Sequence, residues 1–69
     1  MIMDYQSVVL RFKRVLNGGS FFYEERSGYT SIDGAFLAAH VMATVELDID
    51  HVDVYKGDRR VATFYRVIE

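Results

Sequence analysis

Residues 30–47 read TSIDGAFLAAHVMATVEL, and this stretch decides the fold. It holds no proline and carries Ala35, Ala38, Ala39 and Ala43, so it predicts a helix from Ile32 to about Leu47. Thr30 or Ser31 is a natural N-cap. Asp33, three residues after Thr30, suits the positive end of the helix dipole. Gly34 and the β-branched Val41, Thr44 and Val45 are its weak points. At 100° per residue, Asp33, His40 and Thr44 fall within about 40° of one another and form a narrow polar stripe. Ile32, Phe36, Ala39, Ala43 and Leu47 lie to one side of it. Leu37, Ala38, Val41 and Val45 lie to the other, with Met42 behind them. A helix apolar most of the way round is normally enclosed, and a single sheet covers only one side of it.

The flanking segments are strands. Ser7–Leu16 reads SVVLRFKRVL, in which Val8, Leu10 and Phe12 alternate with Val9, Arg11 and Lys13. Asn17-Gly18-Gly19-Ser20 then supplies the positive φ of a hairpin turn, and Phe21–Arg26 returns. A two- or four-residue loop puts Leu10 and Phe12 on one face with Phe21 and Tyr23. Val9, Arg11, Lys13 and Val15 then share the other with Phe22, Glu24 and Arg26, so Arg11 or Lys13 faces Glu24 across the strands. Ser27-Gly28-Tyr29 ends the strand. Beyond the helix, Ile49–Tyr55 sets Val52 and Val54 against His51, Asp53 and Tyr55. Lys56-Gly57-Asp58 is a second tight turn, and Arg60–Ile68 is the fourth strand. A Gly57-Asp58 turn pairs Val54 with Val61 and Val52 with Thr63, which sends Phe64 and Arg66 to the side of Tyr55. Both faces of this last strand are apolar enough for a one-residue slip.

The expected fold is therefore α+β: ββαββ, a four-stranded, mostly antiparallel sheet with one helix packed on one face, in a single domain over residues 1–69. The other sheet face is left uncovered. On this reading it carries Val9, Arg11, Lys13, Val15, Phe22, Tyr55, Phe64 and Arg66, the mixture of apolar and charged groups found at protein interfaces.

Composition narrows the function. A chain of 69 residues buries only about 60% of the surface its unfolded form exposes. With no cysteine there is no disulfide, thiol nucleophile or Cys-ligated zinc. The chain is 51% apolar, so surplus apolar surface has to go somewhere. Eight Lys and Arg against ten Asp and Glu give a net charge of −2, which argues against a general attraction to nucleic acid or anionic membrane. No apolar run approaches the roughly 18–20 residues of a membrane span. The first residues, MIMDYQ, lack the layout of a secretory signal, and a cytoplasmic location is expected.

Candidate chemistry is sparse. Asp48, Asp50, His51 and Asp53 are residue types that hold divalent ions, and His51 and Asp53 project from one strand face. Ligands from a single strand do not close a coordination shell, however, and a solvated connection is the expected role. His40, between Asp33 and Thr44, has the layout of an oriented base, but no nucleophile stands near it. The Gly-rich turn neither matches G-x-G-x-x-G nor joins a strand to a helix, so it is not read as a phosphate loop. No catalytic residue, metal or cofactor is expected. The basic residues divide between the hairpins, Arg11, Lys13, Arg14 and Arg26 in the first and Lys56, Arg59, Arg60 and Arg66 in the second. With Phe22, Tyr55 and Phe64 they outline an alternative, a sheet that stacks bases on aromatic rings. Glu24, Asp53 and the negative net charge weigh against it.

A strand hairpin, an alanine-rich helix opened by Thr30-x-x-Asp33, and then Val52-x-Val54-Tyr55-x-Gly57-Asp58-x-x-Val61 is similar in outline to small ββαββ or ββαβ proteins of bacteria and their phages. Among these are small phage inhibitors, including some anti-CRISPR proteins and an inhibitor of bacterial RNA polymerase. The resemblance implies a protein-binding role and carries no site residue. The expectation is a non-enzymatic protein-binding module, a homodimer that also meets a larger protein. Leu37, Val41 and Val45 on the helix and Val9, Arg11, Lys13, Phe22, Tyr55, Phe64 and Arg66 on the open sheet face are its candidate interface residues. The nucleic-acid-binding sheet is the alternative.

Overall fold

A computed structural model describes residues 8–66. Five elements follow one another: β1 (Val8–Val15), β2 (Phe21–Tyr29), α1 (Ile32–Val45), β3 (Ile49–Lys56) and β4 (Arg59–Tyr65). The strands form one sheet in the order β2-β1-β3-β4, and every neighbouring pair is antiparallel. This is the expected α+β, ββαββ arrangement. Ser7, Val67 and Ile68, which the sequence pattern also assigns to strands, lie outside the described residues. Within the described residues no helix is long and apolar enough to cross a membrane.

The helix starts where its cap allows. Ser31 has extended backbone (φ −142°, ψ 151°), and its hydroxyl accepts from the Gly34 amide at 3.1 Å. A Cβ at Gly34 would sit 3.1 Å from that same hydroxyl oxygen, so glycine leaves room for the cap. The helix ends at Val45, two residues short of the expected end. Glu46 turns extended (φ −92°, ψ 115°), which takes Leu47 off the helix.

Small side chains bring α1 close to the sheet. Ala35, Ala39 and Ala43 recur every four residues and are buried with Met42, so the helix contributes mostly methyl groups to the core and leaves room for the larger side chains of the strands. The core beneath is Val8, Leu10 and Phe12 of β1 with Ile49, Val52 and Val54 of β3. Ile32, Phe36 and Ala38 of the helix, Tyr29, Ala62 and Phe64 seal its margins.

Two loop details change which side chains face the helix. In the first hairpin Val15 pairs with Phe21, and Leu16 bonds Ser20 through its amide at 2.7 Å. That leaves a three-residue loop, Asn17-Gly18-Gly19, with both glycines at positive φ (89° and 91°). An odd loop reverses the facing expected from an even one. Phe22, Glu24 and Arg26 therefore share the helix side with Leu10 and Phe12, while Phe21, Tyr23 and Glu25 share the open side with Arg11 and Lys13. Arg11 faces Glu25 and Lys13 faces Tyr23, so neither faces Glu24. The strand also does not stop at Arg26. It runs to Tyr29 through a bulge, its register shifting between the Leu10–Arg26 and Val8–Tyr29 pairs.

The second hairpin closes on Gly57-Asp58 as expected, with Lys56 paired to Arg59. A bulge then adds one residue to β4 at Val61, and the register beyond it becomes Val54–Ala62 and Val52–Phe64. Phe64 is thereby turned toward the helix, where its ring meets Phe36 edge-on at 5.7 Å between centroids. Arg66, whose amide bonds the Asp50 carbonyl at 3.1 Å, alternates with Tyr65 and falls on the same side as Phe64. Phe22, Phe64 and Arg66 therefore do not belong to the open face. The physical reason is the same in each case: one extra residue in a loop or strand inverts every position after it.

Arg14 joins three parts of the chain. Its guanidinium bonds Glu24 of β2, Glu46 just past the helix at 2.9 Å, and both carboxylate oxygens of Asp48 at 2.9 and 3.0 Å. The helix has no basic residue in its last turn, so Arg14 supplies the positive charge that this end of the dipole favours. The Glu24 bond, aided by Glu46 and Asp48, raises the guanidinium pKa further above its usual value, against the opposing effect of burial. The guanidinium therefore keeps its positive charge at every pH a protein tolerates. We expect Arg14→Met to lower stability by about 1–2 kcal/mol, a value held down by the half-exposed carboxylates. A urea titration would read this as a lower midpoint at unchanged slope.

Candidate functional site

Two surfaces are left over once the core is closed. The first is the open sheet face. Rows across it follow the strand register, with Tyr23, Lys13, His51 and Tyr65 in one and Glu25, Arg11, Asp53 and Thr63 in the next. Val9, Tyr55 and Arg60 continue it toward the second hairpin. Arg11 lies over the Tyr23 ring, 4.6 Å from its centroid, and Lys13 lies over Phe21 at 4.3 Å. These are diagonal neighbours across the strands, the spacing at which a long cation reaches an aromatic face.

In the middle of this face Asp53 is buried, 6% exposed. Thr63 donates its hydroxyl to it at 2.6 Å, and Arg60 stands at 4.0 Å. A buried carboxylate needs such partners. His51 sits beside it with one ring nitrogen 2.8 Å from Asp50 and the other 3.7 Å from Asp53, and its ring lies between those of Tyr23 and Tyr65 at 6.3 and 6.0 Å.

The second surface is the outer side of α1. Phe36 and His40 lean toward Phe64 on β4. Leu37, Val41 and Val45 lie further round, away from that edge strand, and are 65%, 47% and 67% exposed. Leu47, just past the helix, is also exposed. The helix is thus apolar where it meets the sheet and apolar again where none of the described residues covers it. No protein-family model, curated protein or solved structure matches this chain.

The structure keeps Leu37, Val41 and Val45 together as one exposed stripe, and keeps Val9, Arg11, Lys13, Val15 and Tyr55 together on the open face. It replaces Phe22, Phe64 and Arg66 there by Phe21, Tyr23, Thr63 and Tyr65, beside His51 and Arg60, which the expected alternation already puts on that face. The missed Phe21 and Tyr23 follow from the Asn17-Gly18-Gly19 loop, and the missed Tyr65 from the bulge at Val61. Gly-Gly is compatible with two-, three- and four-residue loops, so the sequence offers no signal that selects the odd one.

The remaining candidates are dispersed. His40 is exposed and its backbone carbonyl accepts the Thr44 hydroxyl at 2.7 Å, an ordinary bond within the helix. Asp48 is held by Arg14 on the helix side, apart from His51 and Asp53. Among the described residues no three His, Asp or Glu side chains converge as a metal site would require.

Proposed function

We propose that this chain is a small non-enzymatic protein-binding module that pairs with a second copy of itself and acts by occupying a surface on a larger protein. One observation carries the reading: Leu37, Val41 and Val45 form a stripe of large aliphatic side chains on the solvent side of a helix whose other side already fills the core. A small domain gains nothing in its own stability from such a stripe, and apolar residues left together in this way mark contact sites. A second copy is the occupant we assign to it, since helix-on-helix packing of branched aliphatic residues is a common dimer seam. Its small size and element order also suit a role by occupancy, like that of the phage inhibitors it resembles in outline.

Sedimentation velocity tests the dimer. At tens of micromolar the wild type is expected to sediment as a dimer, and Leu37→Glu with Val45→Glu as a folded monomer. Each of those residues is exposed in the single chain, so the substitutions should change its own stability by no more than about 0.5 kcal/mol. A wild-type chain that remains monomeric across that range would remove the self-association. A larger protein retained from a host lysate by the wild type, and lost on substitution of an exposed surface residue, would support the second half.

A further inference from the structure

We infer that the open sheet face binds single-stranded nucleic acid, with bases stacking at Tyr23 and Tyr65 and phosphates meeting Arg11, Lys13 and Arg60. The inference concerns the surface opposite the helix and stands apart from the protein-binding reading.

It begins with a contrast between arginines of one strand. Arg14, on the helix side of β1, is bonded to three carboxylates. Arg11 and Lys13, on the open side of the same strand, have no carboxylate within 4 Å among the described residues. Glu25 and Asp53 flank Arg11 in register, yet the guanidinium lies over Tyr23 instead. Asp53 is meanwhile engaged by the Thr63 hydroxyl. The negative net charge of the chain therefore does not describe this face. Much of the acid sits elsewhere, with Glu24, Glu46 and Asp48 around Arg14 and Asp33 in the first turn of α1.

Charge and shape then select the occupant. Arg11 and Lys13, without carboxylate partners among the described residues, favour an anion, with Arg60 shared with Asp53 at their margin, and flat exposed rings favour flat partners. Tyr65 is 70% exposed, and with His51 and Tyr23 it makes a row of three rings, on β4, β3 and β2, that also holds Lys13 of β1. A second copy placed here about a two-fold axis would bring like cations together. A basic peptide would be repelled, and a duplex keeps its bases stacked out of reach. A single strand offers both phosphates and free base faces.

The test is fluorescence anisotropy with labelled single-stranded DNA and RNA of about 20 nucleotides, in a salt series. Three phosphate contacts give a slope near −2 in log affinity against log salt, or roughly a 20-fold loss over a fourfold rise in salt. Arg11→Gln with Lys13→Gln is expected to weaken binding about tenfold and flatten that slope by more than one unit. Tyr65→Ser is expected to weaken binding about fivefold or more with the slope kept, as loss of a stacking ring would. Thr44→Ala, exposed on the helix and outside both surfaces, is expected to leave binding unchanged. Circular dichroism and thermal melts confirm that each variant is folded. No binding of either oligonucleotide at low salt would overturn the inference. So would equal affinity for duplex DNA or heparin with no effect of Tyr65→Ser. A change of oligomeric state on substituting Arg11 and Lys13, with no change in oligonucleotide binding, would assign the face to protein instead.

Discussion

Phe12→Ala is expected to cost about 3–5 kcal/mol and to leave much of the protein unfolded near room temperature. A chain of this length has roughly 3–10 kcal/mol of stability in total, so one such cavity consumes much or all of it. Phe12 is the largest of the fully buried side chains and sits on β1, which pairs with a strand on each side. Its neighbours cannot collapse into the space. Val52 beside it is fixed by pairing on both sides, and the helix above is already at close range through its alanines. The guanidinium groups of Arg14 and Arg26, at 5.0 and 5.6 Å from the ring centroid, would also lose the aromatic face they cover. Far-UV circular dichroism at 25 °C measures the outcome. A cooperative melt within a few degrees of wild type would show that the core is not organised around this ring.

Ala39→Phe attacks the same contact from the other side. Ala39 is fully buried at the centre of the helix face that meets the sheet, between Ala35 and Ala43. A ring there has no cavity to enter and must push α1 away from the sheet. Overpacking of this kind costs about 1–3 kcal/mol and more where the backbone has to move. Each kilocalorie lowers the melting temperature of so small a domain by roughly 4–8 °C. We expect a fall of at least about 10 °C by that measure. Val41→Phe, on the exposed side of the same helix, should change stability by no more than about 0.5 kcal/mol. Similar losses from both substitutions would mean that the helix does not use its alanine side to pack.

The fold was legible where the pattern is strong. Alternation in Val8–Lys13 gave β1, the alanines and the Thr30-Ser31 cap gave α1, and Gly57-Asp58 gave the second turn. The Leu37–Val41–Val45 stripe was legible for the same reason, because helical spacing fixes which residues share a side. Facing on the outer strands was not. β2 pairs with only one neighbour and is exposed along nearly its whole length, so its apolar pattern does not select a register. In β4 both Phe64 and Tyr65 could have faced the core, and the bulge at Val61 decides between them. The clamp around Arg14 was equally invisible, since Glu24, Glu46 and Asp48 meet only after the sheet and helix have formed.

The three-residue loop has a consequence for how this protein could change over generations. Deleting or inserting a single residue among Asn17, Gly18 and Gly19 would bring Phe22 and Glu24 to the face now held by Phe21 and Tyr23. In a central strand that exchange would ruin the core. In β2 it would give up the Arg14–Glu24 bond but open no cavity, because none of Phe21–Glu25 is buried on either side. One in-frame codon, gained or lost, would thus recompose a recognition surface in a single step while Leu10, Phe12 and the helix stay where they are. The hairpin is a place where new binding preference is within reach of the smallest length change a gene can make.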